Sequence, residues 1–135
     1  MGIEEARLLK QKGWDFINHT MHHTVLVNQV NSFLELEINK NADAFKTEGV
    51  FLNPDYFCLP EGKYDETAER YIHAAGYKYI LTTEEGIWDT NSAEKKIPRI
   101  NISSQPLWYA FYKIVFKFRN KGIIPGNKQA VIKTT

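Results

Sequence analysis

Trp14-Asp15-Phe16-Ile17-Asn18-His19-Thr20-Met21-His22-His23 reads as a short apolar strand running straight into a loop that carries three of the chain's four histidines. His19 and His23 stand four positions apart, so on a helical turn both imidazoles face the same way. Two such rings can offer two nitrogens to one zinc-type ion. The competing reading of an isolated His-x-x-x-His is a solvated polar loop after a strand. His22, at i+3 from His19, is the alternative partner.

Outward from this segment the chain alternates helices with short strands. Residues 3–12, with Ile3, Ala6 and Leu9 on one side, predict a helix closed by Gly13, where a left-handed cap is wanted. Val30, Phe33, Leu34, Ile38, Ala42 and Phe45 recur at three- and four-residue steps and predict a long amphipathic helix ended by Gly49. Asn53-Pro54 punctuates; Tyr56-Phe57-Cys58-Leu59 is a compact strand stopped by Pro60-Glu61-Gly62. A third helix starts at the N-cap Asp65, buries Ala68, Tyr71, Ile72 and Ala75, and stops at Gly76.

Residues 77–81 form the next strand, with 82–86 as its exit loop. Residues 87–98 read as an irregular connection limited by Pro98, and 99–102 as a short strand. Ser103-Ser104 caps a helix with Leu107, Phe111, Ile114, Val115 and Phe118 on one face, and residues 129–133 offer a last strand. Strands separated by helices of 10–15 residues imply parallel pairing and an α/β fold. In such folds chemistry collects at the carboxyl ends of the strands, here loops 18–24, 60–64, 82–90 and 103–105. The histidines occupy the first of these.

At 135 residues, with 43% hydrophobic and 13% aromatic content, the chain reads as a single domain, 1–135, able to bury a core. A formal charge of +1 gives no field suited to nucleic acid or an anionic membrane. No apolar run approaches the roughly 20 residues of a membrane helix. The acidic start Met1-Gly2-Ile3-Glu4-Glu5 is no signal peptide, so the compartment stays open. Cys58, the single cysteine, excludes an internal disulfide.

The order of segments resembles the polysaccharide deacetylase family (NodB-like, carbohydrate esterase family 4). Asn18-His19-Thr20-Met21-His22-His23 is similar to the family's second motif, whose two histidines bind metal. Phe57-Cys58-Leu59-Pro60-Glu61-Gly62-Lys63-Tyr64-Asp65 is similar to its third. Ala74-Ala75-Gly76-Tyr77-Lys78-Tyr79, Thr82-Thr83 and Ile97-Pro98-Arg99-Ile100 follow in the family's order, so the likeness runs over roughly residues 3–118.

The resemblance implies a metal-dependent hydrolase removing N-acetyl groups from an N-acetylated polysaccharide or oligosaccharide. A divalent metal, zinc by preference, would be held by His19 and His23, the family's spacing favouring His23 over His22. The backbone N–H of Glu61 would serve the oxyanion, and Pro60, Gly62 and Trp88 would line the substrate site. Trp88 reads equally as a sugar-stacking indole or a cover for the rim. The fold implied is an incomplete or distorted (β/α) barrel of parallel strands, in a family usually secreted or held at the cell envelope.

Three departures qualify this. No Asp-Asp pair, the family's base and metal carboxylate, occurs. The expectation is that the first strand, its helix and the second strand are missing, roughly 50–70 residues by domain size. The closing Leu-x-His motif is absent too, and His73 reads as a solvent-exposed helix residue. Glu61 stands where the family often has an aromatic, pointing either inward or to water. Glu84, Glu85 and Asp89 are the acids at the right end of the sheet that could stand in. The chain is therefore expected to be weak or inactive alone; the alternative is a non-catalytic truncated paralogue binding carbohydrate, metal or a partner. An exposed edge beside residues 14–17 would favour a homodimer.

Overall fold

The computed structural model describes residues 2–88, 95–102 and 106–117. They form two compact units, residues 1–82 and 83–135. In the first, α1 (Ile3–Gln11) is opened by the Glu5 carboxylate accepting the Gly2 N–H at 2.8 Å and closed by Gly13 at φ 87°. Gly13 takes this left-handed turn because only glycine does so without a Cβ clash.

A continuous helical stretch follows: α2 (Asn31–Leu34), a π-helical segment (Glu35–Lys40) and α3 (Asn41–Thr47). Its inward face is Leu34, Glu37, Ile38 and Asn41. Val30, expected on that face, is the exposed residue before the first turn. The strand β1 (Tyr56–Cys58) pairs in parallel with β2 (Tyr79–Glu85), Phe57 opposite Ile80. Between them α4 (Glu66–Ala74) supplies the crossover, and Asp65 caps it by accepting the Ala68 N–H at 2.9 Å. Ala68 and Ile72 face in; Ala75, expected among them, is exposed at the helix end. The core joins Leu26, Leu34, Ile38, Phe57, Leu59, Ala68, Ile72, Tyr77 and Ile80.

The strand expected over 14–17 is not a ladder. It is an extended segment joined to β1 by one parallel bridge, Asn18 to Phe57, and Trp14 is 63% exposed. The turn upstream of β1 is the cause: Pro54 has no N–H, and the Asp55 N–H is taken by the Asn53 side chain at 3.0 Å. Conversely, the expected exit loop 82–86 is strand as far as Glu85. β-Branched Thr82 and Thr83 continue the pleat although they are polar.

Strand β2 has β3 (Lys96–Arg99) as its other neighbour, so among the described residues the sheet order is β1-β2-β3 and the sheet is open. Pro98, expected to halt the chain before a strand at 99–102, lies inside β3. An outer strand tolerates the missing N–H. The helix α5 (Leu107–Tyr112) continues as a π-helical segment, Lys113–Lys117. Its buried residues are Ala110 and Lys113, not the expected face: Leu107, Phe111 and Ile114 are exposed and Val115 is half-buried. Lys113 turns in because Nζ pairs with Glu85 and donates to the Asn101 carbonyl at 3.0 Å. Ser103-Ser104, Phe118 and the strand expected at 129–133 lie outside the described residues. No described helix is long and apolar enough to cross a membrane.

Candidate functional site

The loop at the carboxyl end of the 14–18 segment is not the helical turn the His-x-x-x-His spacing suggests. Thr20 (φ 63°) and His23 (φ 56°) are both left-handed, a region that β-branched threonine enters only under constraint. The constraint starts at Asn18, which is fully buried. Its Nδ2 donates to the Ile38 carbonyl (2.8 Å) and the Tyr77 hydroxyl (2.7 Å), while Oδ1 accepts from the Thr20 N–H (3.1 Å) and Asn41 Nδ2 (2.7 Å). Thr20 Oγ1 accepts the Thr24 N–H at 3.1 Å. Burial pushes the Tyr77 phenol above its ordinary pKa, so the hydroxyl stays protonated within this network.

The folded loop brings His19 and His23 together, ring centroids 4.9 Å apart and planes 75° to one another. His19 Nδ1–H donates to the Cys58 carbonyl at 2.8 Å, so its lone pair resides on Nε2. A carbonyl on the far ring nitrogen is the usual device for orienting a metal-binding imidazole. His22 turns the other way. Its Nδ1–H donates to Glu37 Oε1 (2.7 Å) and its main-chain N–H to Glu37 Oε2 (3.0 Å), while the Met21 N–H reaches the Glu37 carbonyl (3.1 Å).

Glu37 is wholly buried. Burial pushes its carboxyl up, yet the hydrogen bonds from His22 outweigh this and hold it below the usual carboxylate range. Nothing in the motif pattern singles out Glu37. The available signal was its place between Leu34 and Ile38 on the inward stripe, where a charge needs a partner.

Beside the histidines, residues 60–62 make a 3₁₀ turn with Glu61 at φ 52° and Gly62 at φ 68°. Pro60 is buried. The Glu61 side chain lies in water, paired with Lys63 Nζ at 2.7 Å. That pairing holds its carboxyl below the ordinary value, with a smaller contribution from nearby His23. His73, expected to be solvent-exposed, is half-buried, with Nδ1–H donating to the Tyr77 carbonyl at 2.8 Å. Trp88 is half-buried in the second unit; Glu84 is exposed there, and Glu85 is engaged by Lys113. Asp89 lies outside the described residues. Among the described residues no three of His, Cys, Asp and Glu gather where one ion could hold them.

The sequence model of a family described as polysaccharide deacetylase matches residues 2–80. No curated protein matches the chain in sequence. Among solved structures, the fold is similar to that of the Streptococcus pyogenes deacetylase PplD in complex with acetate. The TM-score is 0.67 and the identity 24%, over 76% of this chain and 45% of that one. The chain therefore spans less than half the length of that relative.

Proposed function

This chain belongs to the polysaccharide deacetylase family, and on that premise we propose that it supplies the histidine-bearing part of a metal-dependent hydrolase acting on an N-acetylated glycan. The observation that carries the reading is the convergence of His19 and His23, with His19 Nε2 directed by the Cys58 carbonyl. A divalent ion, zinc by preference for two imidazoles, would be held by these two rings. Such an ion polarises a carbonyl and acidifies a bound water. The Glu61 N–H, in the 60–62 turn beside the histidines, would serve as the oxyanion donor, with Pro60 and Gly62 at the substrate site. Trp88 is the residue proposed to stack on sugar. The sheet is read as a sector of the family's (β/α) barrel.

Among the described residues no third His, Cys, Asp or Glu joins the histidine pair to hold an ion, so we infer that the chain alone hydrolyses poorly. Absence of a general base costs on the order of 10²–10⁴-fold. The test is acetate release from N-acetylglucosamine oligomers with Zn²⁺ present, beside calorimetric Zn²⁺ titration. Zn²⁺ should bind and release should stay near background. Metal-dependent release abolished by His19→Ala would overturn the expected impairment and turn attention to Glu84, Glu85 and Asp89. No Zn²⁺ binding would sink the metal reading.

A further inference from the structure

The loop that carries His19 and His23 has no regular structure of its own, yet two of its residues sit in left-handed conformations. Something must hold them. Asn18 and Thr20 fix its beginning. Its middle is held from outside by one side chain, Glu37, whose two carboxylate oxygens take the ring and the main-chain N–H of His22. Glu37 comes from the π-helical segment, whose neighbouring turn also supplies Asn41 to Asn18. Wide π turns are rare in helices and cluster at functional sites.

We propose that Glu37 is a positioning residue: by clamping His22 from the π-helical segment it sets the backbone that presents His19 and His23 as a pair. His22 is then the handle of the loop and no ligand. A carboxylate suits this role because it accepts two hydrogen bonds on separate oxygens, and both donors come from the residue just before His23. Its burial keeps water from competing. The consequence for metal rests on the function proposed above; the consequence for loop order does not.

The test uses the whole 135-residue chain as wild type, Glu37→Ala, Glu37→Gln and His22→Ala, each read in two ways. Without metal, amide hydrogen exchange should quicken at His22 and Thr24 in Glu37→Ala, while Ile72 and Ile80 keep their protection. Glu37→Gln still accepts the His22 N–H through Oε1, and its amide N–H meets the ring nitrogen once His22 takes its other neutral tautomer, so it should restore the loop. With Co²⁺ as probe, absorption titration should give binding about 10–100-fold weaker in Glu37→Ala, the usual cost of losing a group that orients metal ligands, and recovery in Glu37→Gln. Unchanged exchange at His22 and Thr24 in Glu37→Ala overturns the proposal. Should that variant not fold, His22→Ala decides, because its side chain is 60% exposed and its removal opens no cavity in the core. Faster loop exchange there supports the clamp and unchanged exchange refutes it. A wild-type chain with a protected loop that binds no Co²⁺ refutes the metal reading instead.

Discussion

Replacing Asn18 by alanine should be among the most damaging single changes in the first unit. The side chain makes four hydrogen bonds at a site with no exposure, and alanine removes all of them. The partners recover unequally. The Tyr77 hydroxyl can rotate, Asn41 is slightly exposed, and the Ile38 carbonyl keeps the Asn41 main-chain N–H. The Thr20 N–H cannot turn and is left stranded, at about 1–3 kcal/mol. The other three bonds contribute roughly 1 kcal/mol each. The expected loss is therefore about 4–6 kcal/mol, a large share of the roughly 5–15 kcal/mol that holds a domain together. Urea unfolding followed by circular dichroism measures it. A double-mutant cycle with Asn41→Ala should show coupling of about 0.5–3 kcal/mol. Asn39→Ala, whose side chain binds Glu35 and shares no partner with Asn18, should be additive. A loss below about 1 kcal/mol, within reach of ordinary surface substitutions, would refute the view of Asn18 as the loop's anchor.

Zn²⁺ affinity measured by calorimetry should vanish in His19→Ala and His23→Ala and fall only a few-fold in His22→Ala; the reverse order would show that His22 is a ligand. Asp65 accepts the N–H groups of Ala68 and Asn28, which hold its carboxyl below its ordinary 3.8. Because the folded value is the lower one, its stabilisation is complete above pH 3.8 and is lost as pH falls through the depressed value. The urea midpoint should drop in that acid window, less steeply in Asp65→Asn, and equal slopes would remove Asp65 from the account. Gly76 ends α4 at φ 102°, so Gly76→Ala should cost about 1–2 kcal/mol from the left-handed backbone alone, and a neutral thermal melt would contradict this.

The sequence by itself determined what depends on near neighbours. Gly13, Gly49 and Gly76 end helices because only glycine turns left without strain, and Asp65 caps because its side chain reaches an N–H three residues on. The spacing of Leu34, Ile38 and Ala42 gives a helix, and the apolar runs 56–59 and 77–81 lie at or overlap the paired strands. The histidine motif and the Pro60-Glu61-Gly62 turn were legible as a resemblance, and the match over residues 2–80 bears out the family.

Tertiary structure decided where hydrogen bonds run between distant segments. The 14–17 segment fails as a strand because Asn53-Pro54-Asp55, some forty residues away, offers it few N–H groups. Strand β2 outruns its apolar part because Thr82 and Thr83 can still pair. α5 turns Lys113 inward because Glu85 and Asn101 await the ammonium. The division of labour among the three histidines belongs to the same class. Spacing alone leaves His22 and His23 as rivals for His19. Only the fold shows that a buried carboxylate fifteen residues further along takes His22 and leaves the other two facing each other. Periodicity reports which side of a helix is apolar; it carries no information on which polar group, brought near by folding, will make a buried charge tolerable.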